Sequence, residues 1–300
     1  MEIRHNCCRV YRGLSRMLLP AQAMLRRETR RFRCPARRIG VYSAYFNSSA
    51  FFEAHLECLQ KNTSGPFDYY VMKNFTHKSE AARFDEIAGK YPFVKAFSAG
   101  LGPFSCALSH GDSLQRLISS TDNEIIVLCD IDALITGYGW DEIVLRELEQ
   151  KEMVAVMAYF ELRKSENAIP LVAHPSFMAF KRSLLEENRL DVLHGEGNDP
   201  AYKLSRHFIR RGEFNETKIT PLLPTQVDFP DGFFPKEAVF GKPGHPSHGF
   251  CTSYGGFVFH FWFSRQYADR ADIIADDGSI LATHDVVKQK IEYYTKNFAG

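Results

Sequence analysis

Glu124-Ile-Ile-Val-Leu-Cys-Asp-Ile-Asp-Ala-Leu-Ile135 decides the reading of the chain. Four consecutive apolar residues, Ile125 to Leu128, need burial on both faces, which suits a central parallel strand rather than a half-exposed one. Two carboxylates, Asp130 and Asp132, stand where that strand ends. Open α/β sheets bind ligands at the carboxyl edge of their strands. Carboxylate oxygens at that edge suit a hard divalent cation such as Mg2+ or Mn2+. The competing explanation is a cap for a helix starting near Trp140, but capping does not need two acids behind so apolar a strand.

Working outward, strand and helix patterns alternate. Ile39–Ala44 reads as a first strand, followed by a helix from about Ser48 to Gln60. Its apolar stripe includes Phe51, Phe52, His55, Leu56 and Leu59. Asp68–Met72 is a second strand. Ser79 then caps a helix with Ala82 and Ile87 turned inward. Phe93–Phe97 is a third strand, and Ser105–Ile118 a helix with Leu114, Leu117 and Ile118 in its buried stripe. After the Asp130/Asp132 strand come a helix over Trp140–Leu148 and a strand over Met153–Ala158. This order predicts an α/β fold with a central mixed, mostly parallel sheet flanked by helices. Phe177–Phe180, a helix over Lys181–Asn188 and a helix over Asp199–Arg211 follow. The segment 221–256, rich in Gly, Pro and aromatics, reads as loops over a pocket. Residues 39–300 are expected to form one domain, with acceptor-side loops within 174–256.

The first 38 residues differ from the rest. Eleven of the 37 basic residues and two of the 36 acidic ones lie there, which leaves 26 basic against 34 acidic residues after position 38. An acidic body argues against nucleic-acid binding. The Arg-rich preface is expected to be a poorly ordered extension, with a transit role or contact to an anionic membrane surface as the alternative. No run of 18 uninterrupted apolar residues suggests a membrane span. Seven cysteines form no metal-knuckle spacing, and Cys129 within the core strand reads as a reduced thiol. The expected location is therefore cytoplasmic, peripheral membrane contact being the variant. Sequons at Asn47, Asn62, Asn74 and Asn215 matter only on a secretory route. No Gly-x-Gly-x-x-Gly follows the first strand and no phosphate-binding Gly-Lys-Ser/Thr loop occurs.

Other side chains gather around the expected sheet edge. Asn47 and Asn74 follow the first two strands, where an amide can serve a base edge or a ribose, or simply a turn. Ser109 and His110 lie on the helix before the acidic strand and are candidates for donor contact. His174-Pro-Ser-Phe offers the Ser176 hydroxyl and the Phe177 ring to a sugar. Glu196 and Asp199 are candidate general bases, although Asp199-Pro200 also makes a good helix start. In the run Gly255-Gly-Phe-Val-Phe-His-Phe-Trp-Phe-Ser-Arg265, His260 is polar among apolar neighbours and needs a partner. An imidazole there can complete a site begun by two carboxylates. Trp262 offers a platform and Arg265 a guanidinium for phosphate.

On these residues, Asp130-Ile-Asp132, the Ser109-His110 helix, Trp140, His174-Pro-Ser-Phe and His260-Phe-Trp-Phe-Ser-Arg265, the chain resembles nucleotide-sugar glycosyltransferases of the GT-A type over about residues 39–270. The resemblance implies a GT-A-like nucleotide-diphospho-sugar transferase fold. It implies that Asp130 and Asp132 hold Mn2+ or Mg2+ against a donor diphosphate, with His260 completing the site and Glu196 or Asp199 as base. The donor would be a UDP-sugar, with a GDP-sugar as the alternative, and the acceptor a glycan, a lipid-linked sugar or another hydroxyl. Two other classes compete: a sugar nucleotidyltransferase, and a noncatalytic carbohydrate-binding protein of the same fold. The nucleotidyltransferase would want Gly and a basic residue after the first strand, and Ser43–Ser49 has neither.

Overall fold

The structure is a computed structural model. It describes residues 39–74, 78–98, 109–159, 171–194, 200–222, 224–225, 251–261, 273–274 and 280–282, with Asp285, Lys288, Gln289 and Glu292. The Arg-rich preface lies outside them.

Seven strands form the main sheet: β1 (Ile39–Tyr45), β2 (Phe67–Lys73), β3 (Val94–Ser98), β4 (Ile125–Cys129), β6 (Met153–Tyr159), β7 (Leu171–Lys181) and β8 (Ile219–Leu222). Their order is β3-β2-β1-β4-β7-β6-β8. The pairings β1/β2, β2/β3, β1/β4 and β6/β8 are parallel, and β7 runs antiparallel to β4 and β6 on either side of it. The sheet is thus mixed and mostly parallel, as the alternating pattern predicts. A smaller sheet combines β5 (Ala133–Ile135), β11 (Val258–Phe261), β10 (Cys251–Tyr254) and β9 (Pro224–Thr225), in that order.

Side-chain alternation sorts the two layers. From β4, Ile125, Val127 and Cys129 join one apolar cluster while Ile126 and Leu128 join another. The first cluster receives α1 (Ser49–Asn62), α2 (Lys78–Ala88) and α4 (Trp140–Gln150), together with β5 and β11. The second receives α3 (His110–Ser119), α5 (Arg182–Asn188) and α6 (Tyr202–Arg210). Every residue of β4 is buried. Each such side chain contributes about 1.5–3 kcal/mol on transfer from water, enough to offset the ordering of its backbone at about 1–2 kcal/mol.

Several expected boundaries move. In α2 the buried residues are Phe84 and Ile87, and Ala82 is exposed. A phenylalanine buries far more apolar area than an alanine, so it sets the inward face. The helix expected from Asp199 begins at Tyr202, capped by Ala201 in the left-handed region (φ 62°). The Ala201 N–H donates to the Val192 carbonyl at 3.2 Å, a tertiary bond that overrides the Asp-Pro capping signal. α4 is preceded by Gly139 at φ 74°, so neither Asp130 nor Asp132 caps it. β7 is longer than expected and carries a bulge. Val156 of β6 faces His174 while Ala155 faces Met178, leaving Pro175, Ser176 and Phe177 looped out of that ladder. Pro175 has no N–H to give a ladder, which favours a bulge at this point. Among the described residues no helix is long and apolar enough to cross a membrane.

Candidate metal centre

β4 delivers Asp130 to the carboxyl edge of the parallel strands. There the chain turns: the Ala133 N–H donates to the Asp130 carbonyl at 2.9 Å, so Asp130-Ile131-Asp132-Ala133 is a tight turn presenting two carboxylates. The β7 bulge braces it from below, the Ser176 carbonyl accepting the Asp130 N–H at 3.2 Å. Beyond the turn β5 pairs antiparallel with β11, His260 facing Ala133. The Phe261 N–H donates to the Asp132 carbonyl at 3.0 Å and fixes the register.

This register brings His260 to the carboxylates. Ligand atoms of Asp130, Asp132 and His260 all lie within 4.8 Å of one another. Nε2 of His260 is 3.3 Å from Oδ1 of Asp132, and Nε2 of His110 is 3.0 Å from Oδ1 of Asp130. The Asp130 and Asp132 side chains are 18% and 16% exposed, against 4% for His260. The carboxylates are therefore partly exposed while the imidazole is buried. Burial alone would raise the Asp130 pKa, but His110 above all, with His260 and His55, outweighs it and holds the carboxyl below its usual range. Burial, reinforced by both neighbouring carboxylates, pushes the Cys129 thiol well up, which keeps it protonated and inert.

The donor set fits a divalent cation. Two hard carboxylate oxygens and one imidazole nitrogen are ligands that a divalent cation accepts together. The 3.3 Å separation of Nε2 and Oδ1 is of the order of one edge of an octahedral shell, about 3 Å for bonds of about 2.1 Å.

The remaining candidates are distributed unevenly. Asn47, at φ 47°, and buried Asn74 follow β1 and β2 on the same sheet edge as Asp130. The Asn74 N–H donates to the Tyr45 carbonyl at 3.0 Å. Ser109 is the N-cap of α3: its hydroxyl accepts from the Asp112 N–H and donates to Asp112 Oδ2 at 2.6 Å. Its bonding is that of a cap. Ser176 is fully buried, and no partner for its hydroxyl occurs among the described residues. Phe177 is enclosed by Trp140 and Phe257, edge-on to both rings at 5.7 and 5.5 Å. A ring packed on both sides cannot serve as a sugar platform, so Phe177 is a core residue. Glu196, Asp199, Trp262 and Arg265 lie outside the described residues.

The sequence reading passed over His174 itself. Its Nδ1 accepts the Ser176 N–H at 3.1 Å, and its ring lies 5.8 Å from that of His260. A neutral His174 thus carries its proton on Nε2. The one hint was Pro175, a bulge signal beside a histidine.

No family model matches the chain, and no curated protein matches its sequence. Among solved structures it is similar to the mannosyltransferase PcManGT from Pyrobaculum calidifontis in complex with GDP-Man and Mn2+, at 16% identity and a TM-score of 0.40, over 62% of this chain and 58% of that one. It is similar to TarS of S. aureus at 16% identity and a TM-score of 0.42, over 62% of this chain and 35% of that one. A third is glucosyl-3-phosphoglycerate synthase from Mycobacterium tuberculosis with Mn2+, UDP and glucosyl-3-phosphoglycerate, at 16% identity and a TM-score of 0.41, over 65% of this chain and 74% of that one. The chain spans less than two thirds of the first two. Identities this low leave the chemistry to be argued from the site itself.

Proposed function

We propose that this chain is a metal-dependent glycosyltransferase of the GT-A type, moving a sugar from a nucleotide-diphosphate sugar to a hydroxyl acceptor. The observation that carries the reading is the convergence of Asp130, Asp132 and His260 at the carboxyl edge of the sheet. These three residues would hold Mn2+ or Mg2+. When bound, the cation supplies positive charge against a leaving diphosphate.

The protein's own groups have separable tasks in this reading. His110 keeps one oxygen of Asp130 engaged and ionised, leaving the other available. Asn47 and Asn74 meet the nucleoside, uridine before guanosine. Arg265 meets phosphate, and Trp262 the acceptor. If transfer inverts the sugar, Asp199 accepts the acceptor proton, with Glu196 as the alternative base.

Full-length protein incubated with UDP- and GDP-sugars tests the proposal. Mn2+-dependent release of nucleoside diphosphate, stopped by chelation, is the expected result. Pyrophosphate formed from a nucleotide and a sugar phosphate would identify a nucleotidyltransferase instead. Tight donor binding without turnover over any acceptor would leave a carbohydrate-binding protein.

A further inference from the structure

We infer that His55 is a positioning residue for the cation site, holding the Asp130–Ala133 turn in place through the Ala133 carbonyl. The inference rests on the proposed cation site.

Ala133 connects all three ligands. Its N–H closes the turn onto Asp130, Asp132 precedes it, and His260 faces it across the β5–β11 ladder. Its carbonyl points elsewhere. In an antiparallel ladder alternate residues turn their polar groups to opposite edges. The Asp132 carbonyl bonds to Phe261 of β11 and the Thr136 N–H to Phe257 just before it, so Ala133 and Ile135 turn their carbonyls to the other edge of β5. No strand lies there in the four-stranded order. α1 covers that edge with two side chains seven residues apart, on one face of the helix. His55 Nδ1 meets the Ala133 carbonyl at 2.8 Å, and Asn62 Nδ2 donates to the Ile135 carbonyl at 2.6 Å.

A carbonyl only accepts, so His55 Nδ1 carries the proton. Nε2 is then a bare lone pair, and among the described residues it has no hydrogen-bond partner. The ring is fully buried. A leucine would fill such a place without burying a bare ring nitrogen, but it would take the N–H away from the Ala133 carbonyl. What the imidazole adds is one directed N–H aimed at the residue that joins the three ligands. Outer groups of this kind orient metal ligands and affect affinity strongly. Asn62 makes the same kind of bond two residues farther from the carboxylates, which provides an internal control.

The test is a Mn2+ titration of the full-length protein, following free Mn2+ by its paramagnetic resonance signal, with thermal unfolding in parallel. His55→Phe should weaken Mn2+ binding about tenfold or more, and His55→Asn, whose amide reaches the Nδ1 position, should restore it to within about threefold. Asn62→Ala should lower the melting temperature and leave Mn2+ affinity unchanged. Should His55→Phe not fold, His55→Gln replaces it, with the same expected loss. Wild-type affinity in His55→Phe or His55→Gln overturns the inference, and so does an equal loss in Asn62→Ala, which would reduce His55 to a strand anchor. Absence of Mn2+ binding by the wild-type protein is a different failure, that of the cation site as a whole.

Discussion

Nε2 of His260 lies 3.3 Å from Oδ1 of Asp132 because β11 runs antiparallel beside β5, with His260 facing Ala133. A distant segment therefore closes a site that the strand-end turn opens. If the three groups share a cation, His260→Ala should fold and yet require more metal. The measurement is turnover against Mn2+ concentration. An unchanged half-saturation point would return His260 to the role of a core histidine.

Asp130 and Asp132 carry the larger expectation. Replacing either by Asn keeps the shape and removes the charge. Metal-supported turnover should fall by about 10²-fold or more, near 3 kcal/mol of transition-state stabilisation. Full activity of the doubly substituted protein after chelation would end the metal reading.

How far this site could be read from sequence depends on what each residue needs. Ile125–Leu128 declared a buried strand by apolarity alone, and the carboxylates after it inherited their position. His260 stood out as a polar group among aromatics. The three residues of β5 did not stand out, because Ala133-Leu134-Ile135 reads as a continuation of the apolar stretch. Without β5 there is no ladder to pair with β11, and His55 reads as one more member of an apolar stripe. Phe177 misled for a related reason: an aromatic after a sheet strand looks like a sugar platform until Trp140 and Phe257 are seen on either side of it. The α6 boundary failed because a tertiary bond, Ala201 to Val192, prevailed over local capping chemistry.

His55 also predicts a pH dependence of stability. Burial lowers its pKa from 6.5 to about 4, although the Ala133 carbonyl and both carboxylates favour the charged form. Between those values the unfolded chain takes up a proton that the folded one refuses. The resulting stabilisation is complete above about pH 6.5 and is lost as the pH falls toward and through 4, amounting to about 3 kcal/mol. Urea unfolding at pH 7.5 and 4.5 should show a larger loss for wild type than for His55→Asn. Equal losses would mean that His55 is not held neutral.

At the opposite edge of the sheet, Gly40 makes room for a buried polar network. Tyr42 OH meets Thr121 Oγ1 at 2.7 Å and donates to Asn123 Oδ1 at 3.3 Å, while Asn123 Nδ2 donates to Asp68 at 3.0 Å. Arg182 closes the group through the Asn123 and Ile118 carbonyls. A Cβ on Gly40 would lie 2.8 Å from both Asn123 Cγ and Tyr42 Oη. Gly40→Ala should therefore cost about 2 kcal/mol and lower the melting temperature by roughly 4–8 °C. Because this network lies far along β1 from the carboxylates, Mn2+ affinity of the folded variant should not change. A melting temperature equal to wild type would show that the network yields without cost.

The last expectation concerns the base. Asp199 is outside the described residues, but the described residues on either side of it are bonded to one another and to α3. Lys203 pairs with Asp191 at 2.7 Å, the Val192 N–H donates to Gln115 of α3, and the Ala201 N–H returns to the Val192 carbonyl. Gly111 of α3 allows close approach here, since a Cβ on it would meet the His194 nitrogen at 2.9 Å. The same helix begins with His110, which touches Asp130. Val192 and His194 thus lie against the helix whose first residue is His110. Since Ala201 occupies the cap of α6, removing the Asp199 carboxylate does not remove that cap. If the reaction inverts the sugar and Asp199 is its base, Asp199→Asn should lower transfer by about 10²-fold or more with little change in stability. Donor hydrolysis in Mn2+ without acceptor provides the companion measurement. Near-normal transfer by the folded variant would pass the role to Glu196, and a retained anomeric configuration would remove the need for either.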